Sequence, residues 1–316
     1  MMIDAHSDLG AYFVNELALK ESEIVQNLID EYQRNHVHGV ISAIFLENEQ
    51  VASAKEEAFN QLATLKAITK KHPELKWSTS FSDYEMAKKN NATSLFLSLE
   101  GAEPISNPLQ VSVFKEMGVR FIGLTWIRRN RFADGAEAKV FKPKGGLSFE
   151  GIELLKAMEE EQMILDLSHL ADEAIEDVFK HYKGSLFSSH TNARKVNNIP
   201  RNHPDDILKE ISNRGGVVGL NIASFIVNNQ KKPTLEDLTH HLEHMVNICG
   251  EEGVVLGFDF CSRIFDKPYI KEKATDVLCD YDDASSYLKS IAPTLGDSLI
   301  ESISYKNMER FLKENL

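Results

Sequence analysis

Histidines and carboxylates stand at the ends of several short apolar runs in this sequence. The first run, MIDAHSDL, carries His6 and Asp8 two positions apart, so both side chains face one side if the segment is extended. Later runs end in SLEGA, LDLSH and FSSHT, which contain Glu100, His169 and His190. Imidazole and carboxylate groups are ligands for zinc, and also for manganese or cobalt. A polar edge strand would explain any one of these positions, but four such strand ends are hard to produce by chance.

The number of candidate ligands suggests more than one metal ion. Three histidines and two or three carboxylates exceed what one tetrahedral catalytic zinc ion uses. The set suits two ions that share a carboxylate, and such a pair can hold a bridging hydroxide and polarise a carbonyl group. The residue types therefore predict metal-assisted hydrolysis.

Two polar residues outside this set are candidates for work on a substrate. Arg201, in RNHPDD, has a planar guanidinium that can bind a carboxylate through two hydrogen bonds, although an arginine in such a loop is often only solvated. Asp259, in GFDF, could move a proton to a leaving amine. Asp166 is interpreted as a polar interior or supporting group, and Glu103 as a loop residue. Packing or surface positions are expected for the remaining histidines considered, which are His36, His38, His72, His181, His203, His241 and His244.

The elements that must position these residues alternate regularly along the chain. Short β-branched runs alternate with amphipathic stretches, which predicts a parallel sheet. Eight such units favour an α/β fold of the (β/α)8 type, a TIM-like barrel, whose strands present their C-terminal ends at one mouth. A length of 316 residues fits one metallohydrolase domain, 1–316. The predicted strands are 2–9, 37–46, 94–102, 119–126, 163–169, 185–191, 216–222 and 254–260, and the helical stretches include 21–35, 56–72, 147–162, 171–182, 204–215 and 235–253.

Composition excludes several classes of partner. A net charge of −13 disfavours binding to nucleic acid and to anionic membranes. Three cysteines without CxxC spacing argue against a disulfide scaffold or a cysteine zinc site. The acidic start MMIDAHSD does not have the character of a secretory signal, and we expect a cytoplasmic protein.

A family resemblance runs almost from end to end. DAHSDL, SLEGAEPI, GVRFIGLTW, MILDLSH, FSSHTNAR, RNHPDDIL, GGVVGLN and GFDF occur in this order, and KNMERFL follows near the C-terminus. Together they resemble the renal, or membrane, dipeptidase family of zinc hydrolases, within the amidohydrolase-like barrels. The resemblance implies two zinc ions, hydrolysis of dipeptides and tolerance of a D-residue at the C-terminal position. It also implies a homodimer, and a bacterial-type member without a membrane anchor.

The resemblance assigns metal ligands position by position. His6 and Asp8 correspond to the pair on the first metal, and His169 and His190 to the pair on the second. Glu100 corresponds to the carboxylate that bridges the two ions, with a part in catalysis.

The resemblance also assigns residues to substrate binding and proton transfer. The chain departs from the family pattern at two positions. Arg201 corresponds to the substrate-binding arginine and Asp259 to the acid/base carboxylate, which also contacts substrate. Trp126 stands where animal members have a histidine that is thought to contact the reacting carbonyl. Some bacterial members are similar to this chain in having Trp at that place. We expect Trp126 to shape a pocket for a substrate side chain. Cys261 replaces the second Asp of the family's GxDFDG pattern.

Two alternative functions stay open. A related barrel hydrolase would act on another small amide, such as a cyclic amide, a lactone or an N-acyl amino acid. Such relatives commonly have a carboxylated lysine, but no predicted strand of this chain ends in Lys. A non-catalytic dipeptide-binding protein should have lost ligands, whereas all five are present.

Overall fold

The chain forms a closed parallel barrel. The computed structural model describes residues 1–137, 145–261 and 276–316. In those ranges, β1 lies between β2 and β9, the order continues through β8, β7, β6, β5 and β4, and β4 pairs with β2 to close a ring of eight strands. The predicted TIM-like (β/α)8 barrel is confirmed. The strands are β1 Met2–Ser7, β2 Val37–Phe45, β3 Leu75–Trp77, β4 Thr93–Glu100, β5 Val119–Gly123, β6 Ile164–Asp166, β7 Leu186–Thr191, β8 Val218–Leu220 and β9 Val254–Leu256.

The sequence patterns missed one strand. β3 has only three residues. It pairs with the N-terminal half of β4, whereas β5 pairs with the C-terminal half of β4. A segment this short has too few residues for a period-2 pattern to be recognised.

Amphipathic helices cover the barrel. The stretches predicted at 56–72, 147–162, 171–182, 204–215 and 235–253 are helical in their central parts. The first helix begins at Leu9, well before the predicted stretch at 21–35. The helices are α1 Leu9–Arg34, α2 Ala54–Lys71, α3 Phe81–Lys89, α4 Gln110–Glu116, α5 Phe149–Glu160, α6 Asp172–His181, α7 Asp205–Asn213, α8 Ser224–Val227, α9 Leu235–Cys249, α10 Tyr281–Leu295, α11 Asp297–Glu301 and α12 Asn307–Asn315. No helix in the described residues is long and apolar enough to cross a membrane.

The barrel interior is apolar at its N-terminal end. Aromatic side chains of β5 and β7 meet there across the interior, with Phe121 and Phe187 at a ring-centroid distance of 5.3 Å. Phe311 of α12 stacks on Phe187 at 5.5 Å, and α12 also contacts β1 and β9. The polar strand ends therefore lie at the opposite end of the barrel from α12.

Three strands end at least three residues earlier than the sequence patterns indicate. β5, β6 and β9 end at Gly123, Asp166 and Leu256, so the polar residues that follow stand in loops rather than in strands. His169 and Asp259 have φ values of +69° and +57°, a left-handed conformation that a strand cannot contain. These two residues therefore lie after the strands that the sequence placed them in.

Glycines let the last three strands approach one another closely. A Cβ at Gly219 or at Gly257 would lie 1.8 Å or 1.9 Å from the carbonyl oxygen of Ser189. The register of β7 against β8 shifts between Ser188 and Thr191, the segment that carries this carbonyl. The strand that delivers His190 is thus packed directly against two glycines.

Candidate active site

Five polar side chains from four strand ends converge at the mouth of the barrel. The Nε2 atom of His6 lies 3.4 Å from Asp8 Oδ1 and 3.5 Å from Glu100 Oε2. The other oxygen of Glu100 lies 2.8 Å from His169 Nε2 and 3.6 Å from His190 Nε2. Glu100 therefore lies between the His6 and Asp8 pair and the His169 and His190 pair. The structure brings together all five residues that the sequence proposed as ligands.

The donor atoms at the centre of this cluster fit a metal ion. His6 Nε2, Asp8 Oδ1 and Glu100 Oε2 are buried and have no hydrogen-bond partner in the described residues. Buried polar atoms are normally paired, so these three are arranged for a ligand from outside the chain. Two groups of donor atoms lie close enough to share an ion, His6 with Glu100 and His190, and His6 with Asp8 and Asp259. The second group includes Asp259, which the sequence analysis assigned to proton transfer and not to metal binding.

Burial and neighbouring charges shift the pKa values of Glu100 and of the three candidate histidine ligands. Burial, reinforced by the neighbouring carboxylate of Asp8, raises the pKa of Glu100 well above its usual value. Burial would lower the pKa of His6, but Glu100 and Asp8 together raise it well above its usual value. Burial and nearby cationic groups hold the pKa of both His169 and His190 well below the usual value. His169 and His190 are thus held neutral beside the buried carboxyl groups of Asp8 and Glu100, a donor set that a divalent cation would stabilise.

Arg201 is buried beside the histidines. Its Nη2 lies 2.9 Å from His169 Nε2 and donates to the His190 carbonyl at 3.0 Å, while Nη1 is buried without a partner in the described residues. Arg201 is only 2% exposed, so this is not the solvated loop arginine considered from sequence. One face of the guanidinium is left for a ligand with oxygen atoms.

Asp259 faces the same cluster from the loop that follows β9. Its Oδ2 lies 3.9 Å from His190 Nε2 and accepts a hydrogen bond from Asn221 Nδ2 at 3.0 Å. Asn221 is itself fixed, because its Oδ1 accepts from the backbone N–H of Ala223 at 2.7 Å. Burial raises the pKa of Asp259 above its usual value. Asn221 therefore holds the Asp259 carboxylate in position, a role that sequence reasoning did not assign.

A cavity of about 420 Å³ opens above the cluster. Asp8, Glu100, His169, Arg201 and Asp259 line its floor, and its walls are apolar. The wall residues are Phe45, Trp126, Ile127, Phe225, Ile226 and Cys261, with Glu137 at the edge.

Trp126 is a fixed part of this wall. Its ring lies edge-on to Phe45 at 5.0 Å and 6.2 Å from the ring of His169. The guanidinium of Arg128 lies over the indole at 5.4 Å and forms an ion pair with Glu103 at 3.1 Å. Glu103, interpreted from sequence as a loop residue, thus supports the arginine that covers Trp126.

Histidines that the sequence assigned to packing lie away from the cluster. His241 is buried between the N–H of Ala193 and the carbonyl of Val227. His244 pairs with Asp205 at 2.8 Å, and His203 contacts Ser188 Oγ at 3.1 Å.

The two other acidic positions of the opening motifs are structural. Asp4 accepts from the backbone N–H groups of His6 and Phe258 and from the hydroxyl of Tyr281. Asp166 accepts from the N–H and the hydroxyl of Ser189, and also from the N–H of Ser168. Both carboxylates therefore bind backbone beneath the cluster.

Comparison with known proteins identifies the family. Residues 1–278 match the model of the membrane dipeptidase family, peptidase family M19.

The chain belongs to the membrane dipeptidase family.

Curated relatives agree with this assignment. The chain is 29% identical to a dipeptidase of Clonostachys rogersoniana over 285 residues, which cover 82% of the chain and 71% of the relative. It is 28% identical to an uncharacterized dipeptidase of Schizosaccharomyces pombe over 283 residues, 82% of the chain and 69% of the relative. The protein is therefore a metal-dependent dipeptidase, and the predicted family and enzyme class are confirmed.

Solved structures share the whole fold. A dipeptidase of family M19 superposes with a TM-score of 0.86 at 20% identity, over 99% of this chain and 98% of that one. A metallopeptidase from Rhodobacter sphaeroides, solved with a phosphinate mimic of the dipeptide L-Ala-D-Ala, gives the same TM-score and identity over 100% and 99%. At this identity the likeness supports the fold.

Sequence reasoning assigned no role to the residues that hold the predicted ones in place. Ser189, Asn221 and Arg128 each contact a predicted site residue, but none is a metal ligand or a common acid/base group. Two sequence features could have pointed to these residues: Ser189 is adjacent to His190, and Asn221 stands at the end of a strand.

Proposed function

We propose that this dipeptidase binds two zinc ions through His6, Asp8, Glu100, His169 and His190 and cleaves dipeptides, including those with a D-residue at the C-terminal position. The observation that carries the proposal is the set of unpaired ligand atoms, buried beneath the cavity with Glu100 between the two histidine groups. Two zinc ions would supply Lewis acidity and an activated bridging hydroxide.

Other residues of the site bind the substrate and transfer the proton. Arg201 offers its free Nη1 to the substrate carboxylate, which orients the dipeptide and excludes longer peptides. Asp259, held by Asn221, takes the proton released during attack and gives it to the leaving amine. Trp126, with Phe45 beside it, bounds the pocket for a substrate side chain.

Tolerance of a D-residue is supported by one relative. The Rhodobacter sphaeroides metallopeptidase was solved with a mimic of L-Ala-D-Ala, and its fold matches this chain throughout. The cavity here has a carboxylate-binding arginine at its floor and apolar walls, which suits a small dipeptide. A cytoplasmic location and a homodimer remain predictions from the sequence.

The first experiment compares two dipeptides. Hydrolysis of L-Leu-D-Ala and of L-Leu-L-Ala is measured on zinc-loaded protein and on protein treated with a chelator, with bound metal counted by atomic emission. Metal-dependent cleavage of the L,D form, with two zinc ions per chain, is the expected result. Cleavage of the L,L form alone would contradict the stereochemical part, and one bound ion at full activity would contradict the two-zinc part.

A matched pair of glutamates tests the ligand assignment. Glu100→Gln should lose bound zinc and turnover, because the central carboxylate becomes a neutral amide. Glu103→Gln changes a buried glutamate three positions away that pairs with Arg128 and not with the histidines, so it should keep its zinc. Full metal content and activity in Glu100→Gln would sink the bridging role.

A further inference from the structure

The hydroxyl of Ser189 lies behind two of the candidate ligands. Its Oγ is 2.7 Å from Nδ1 of His190 and 3.5 Å from Nδ1 of His6. In both rings this is the nitrogen turned away from the ligand cluster, since the Nε2 atoms face Glu100. One side chain on β7 thus contacts a histidine from each of the two groups that Glu100 separates.

The hydrogen-bond directions around this hydroxyl are determined by Asp166. A serine hydroxyl has one proton, and Ser189 donates it to Asp166 Oδ2. The Asp166 carboxylate also accepts from the N–H of Ser189 at 2.9 Å and of Ser168 at 3.0 Å, so it is fixed on β6 and β7. With its proton committed, Ser189 Oγ can only accept from the histidines. A hydrogen bond from His190 to Ser189 then requires the His190 proton on Nδ1, which leaves the lone pair of Nε2 directed at the cluster, where it faces Nε2 of His169 at 2.8 Å.

We propose that Ser189, oriented by Asp166, is a positioning residue that fixes His190, and more weakly His6, in the tautomer able to bind metal through Nε2. Hydrogen-bonding partners of this kind orient metal-binding histidines, and their loss typically weakens metal affinity. The inference rests on the proposed metal site and adds to it the residue that prepares the ligands before metal arrives.

The third histidine provides an internal contrast. Nδ1 of His169 is buried without a hydrogen-bond partner in the described residues, so its ring is held only from the Nε2 side, where Arg201 Nη2 lies at 2.9 Å. His190 therefore has a hydrogen-bond acceptor behind its ring that holds the proton on Nδ1, whereas His169 has no such acceptor in the described residues.

The neighbouring serine supplies a matched control. Ser188 is as fully buried as Ser189 and stands on the same strand. Its hydroxyl contacts Ser168 Oγ at 3.0 Å and His203 Nε2 at 3.1 Å, and neither of these residues belongs to the ligand cluster. Ser188→Ala removes the same atom from the same depth without touching a candidate ligand.

The first measurement is the tautomer itself, in the unmodified metal-free chain. Long-range ¹H–¹⁵N NMR correlations of the imidazoles should show His190 with its proton on Nδ1. A proton on Nε2 of His190 would overturn the proposal. This readout needs neither zinc nor turnover, so it stands even if the chain proves to bind another metal or cleave another amide.

The second measurement is zinc affinity, by competition with a chromophoric chelator. Ser189→Ala should bind zinc about 10- to 100-fold more weakly than the unmodified chain, and Ser188→Ala within about threefold. Asp166→Asn should also weaken binding, because its amide can donate to Ser189 and release the hydroxyl proton towards His190. Equal zinc affinity in Ser189→Ala and Ser188→Ala, with native circular dichroism in both, would overturn the proposal. Failure of the unmodified chain to bind zinc would contradict the proposed function instead, and the tautomer would still decide this inference.

Discussion

At the scale of single residues, the site is built from groups that are incomplete without a ligand. Arg201 illustrates this, because its Nη2 atom is paired and its Nη1 atom is not. A buried guanidinium with a free N–H donor stabilises a bound carboxylate by more than a neutral donor would. Substrate recognition can therefore be separated experimentally from metal binding.

Arg201→Met should raise KM for dipeptides and leave zinc content unchanged. A hydrogen bond to a charged group is worth about 1.5–3 kcal/mol, which corresponds to a KM increase of about 10- to 150-fold. A dipeptide with an amidated C-terminus should show a much smaller ratio between the two enzymes. The control is Arg194→Met, since Arg194 pairs with Asp172 outside the cavity and should leave KM unchanged. An Arg201→Met enzyme with normal KM for free dipeptides would remove Arg201 from substrate binding.

His241 predicts a pH dependence of stability that is separate from the active site. Burial lowers its pKa to about 4, the Val227 carbonyl acts in the opposite direction, and His244, His240 and Asp237 contribute smaller charge effects. Below the ordinary histidine pKa of about 6.5, His241 binds a proton in the unfolded chain but not in the native state. Stability from this residue is thus complete above that pH and falls as the pH drops towards 4.

The expected size is about 1 kcal/mol between about pH 7.5 and about pH 5.5. Urea unfolding of the unmodified chain should show this loss, and His241→Gln should reduce it by that amount. His240→Gln, at a neighbouring exposed position, should not change the slope. Equal pH slopes in the unmodified chain and His241→Gln would contradict the prediction, because they would mean that the pKa of His241 is the same in the native and unfolded states.

Residue types explain what sequence could predict here. Histidine, glutamate and aspartate at strand ends are uncommon and informative, so His6, Glu100 and His190 could be proposed as ligands from the sequence. Ser189 and Asn221 are ordinary residues whose roles depend on what lies opposite them in the barrel. No spacing along the chain reveals such a partner.

At the scale of secondary structure, strand existence was predictable and strand ends were not. Apolar β-branched runs marked the eight barrel strands in the described residues, because strands buried on both faces have that composition. The left-handed conformations of His169 and Asp259 end the pattern within each run, and composition carries no signal for them.

Close strand packing gives a prediction at this scale. Gly219→Ala places a methyl group 1.8 Å from the Ser189 carbonyl, so β7 and β8 must separate. Overpacking of a core typically costs about 1–3 kcal/mol, and a clash with backbone should reach or exceed that range. Because β7 carries His190, zinc affinity should fall together with the midpoint of urea unfolding. Gly39→Ala on β2 is the control, since the nearest atom to its new methyl group is the Cγ2 of Ile3 at 3.2 Å, so a displacement of a few tenths of an ångström suffices. Unchanged stability and zinc binding in Gly219→Ala would contradict the observed strand packing.

At the scale of the whole molecule, the barrel has one polar end and one apolar end. The mouth concentrates carboxylates and imidazoles, whereas the opposite end is closed by aromatic rings and by α12. Sequence patterns assigned no helix to the C-terminal segment, yet α10 contacts α1 and α12 contacts β1 and β9. We propose that residues 1–316 unfold as one domain, with α12 as part of the barrel core.

Phe311→Ala tests whether α12 and the barrel unfold together, because Phe311 lies at the end of the barrel opposite the active site. Phe311 is 1% exposed and stacks on Phe187, so its truncation should destabilise the protein by about 3–5 kcal/mol. If α12 and the barrel form one cooperative unit, far-ultraviolet dichroism and tryptophan fluorescence should shift together in a single urea transition. KM and zinc content at low urea should stay unchanged, because the substitution leaves the mouth intact. Phe149→Ala, at a position that is 77% exposed, should leave the transition in place. Two separate transitions in Phe311→Ala, with the barrel keeping its midpoint, would instead show that the C-terminal helices are an independent attachment to the barrel.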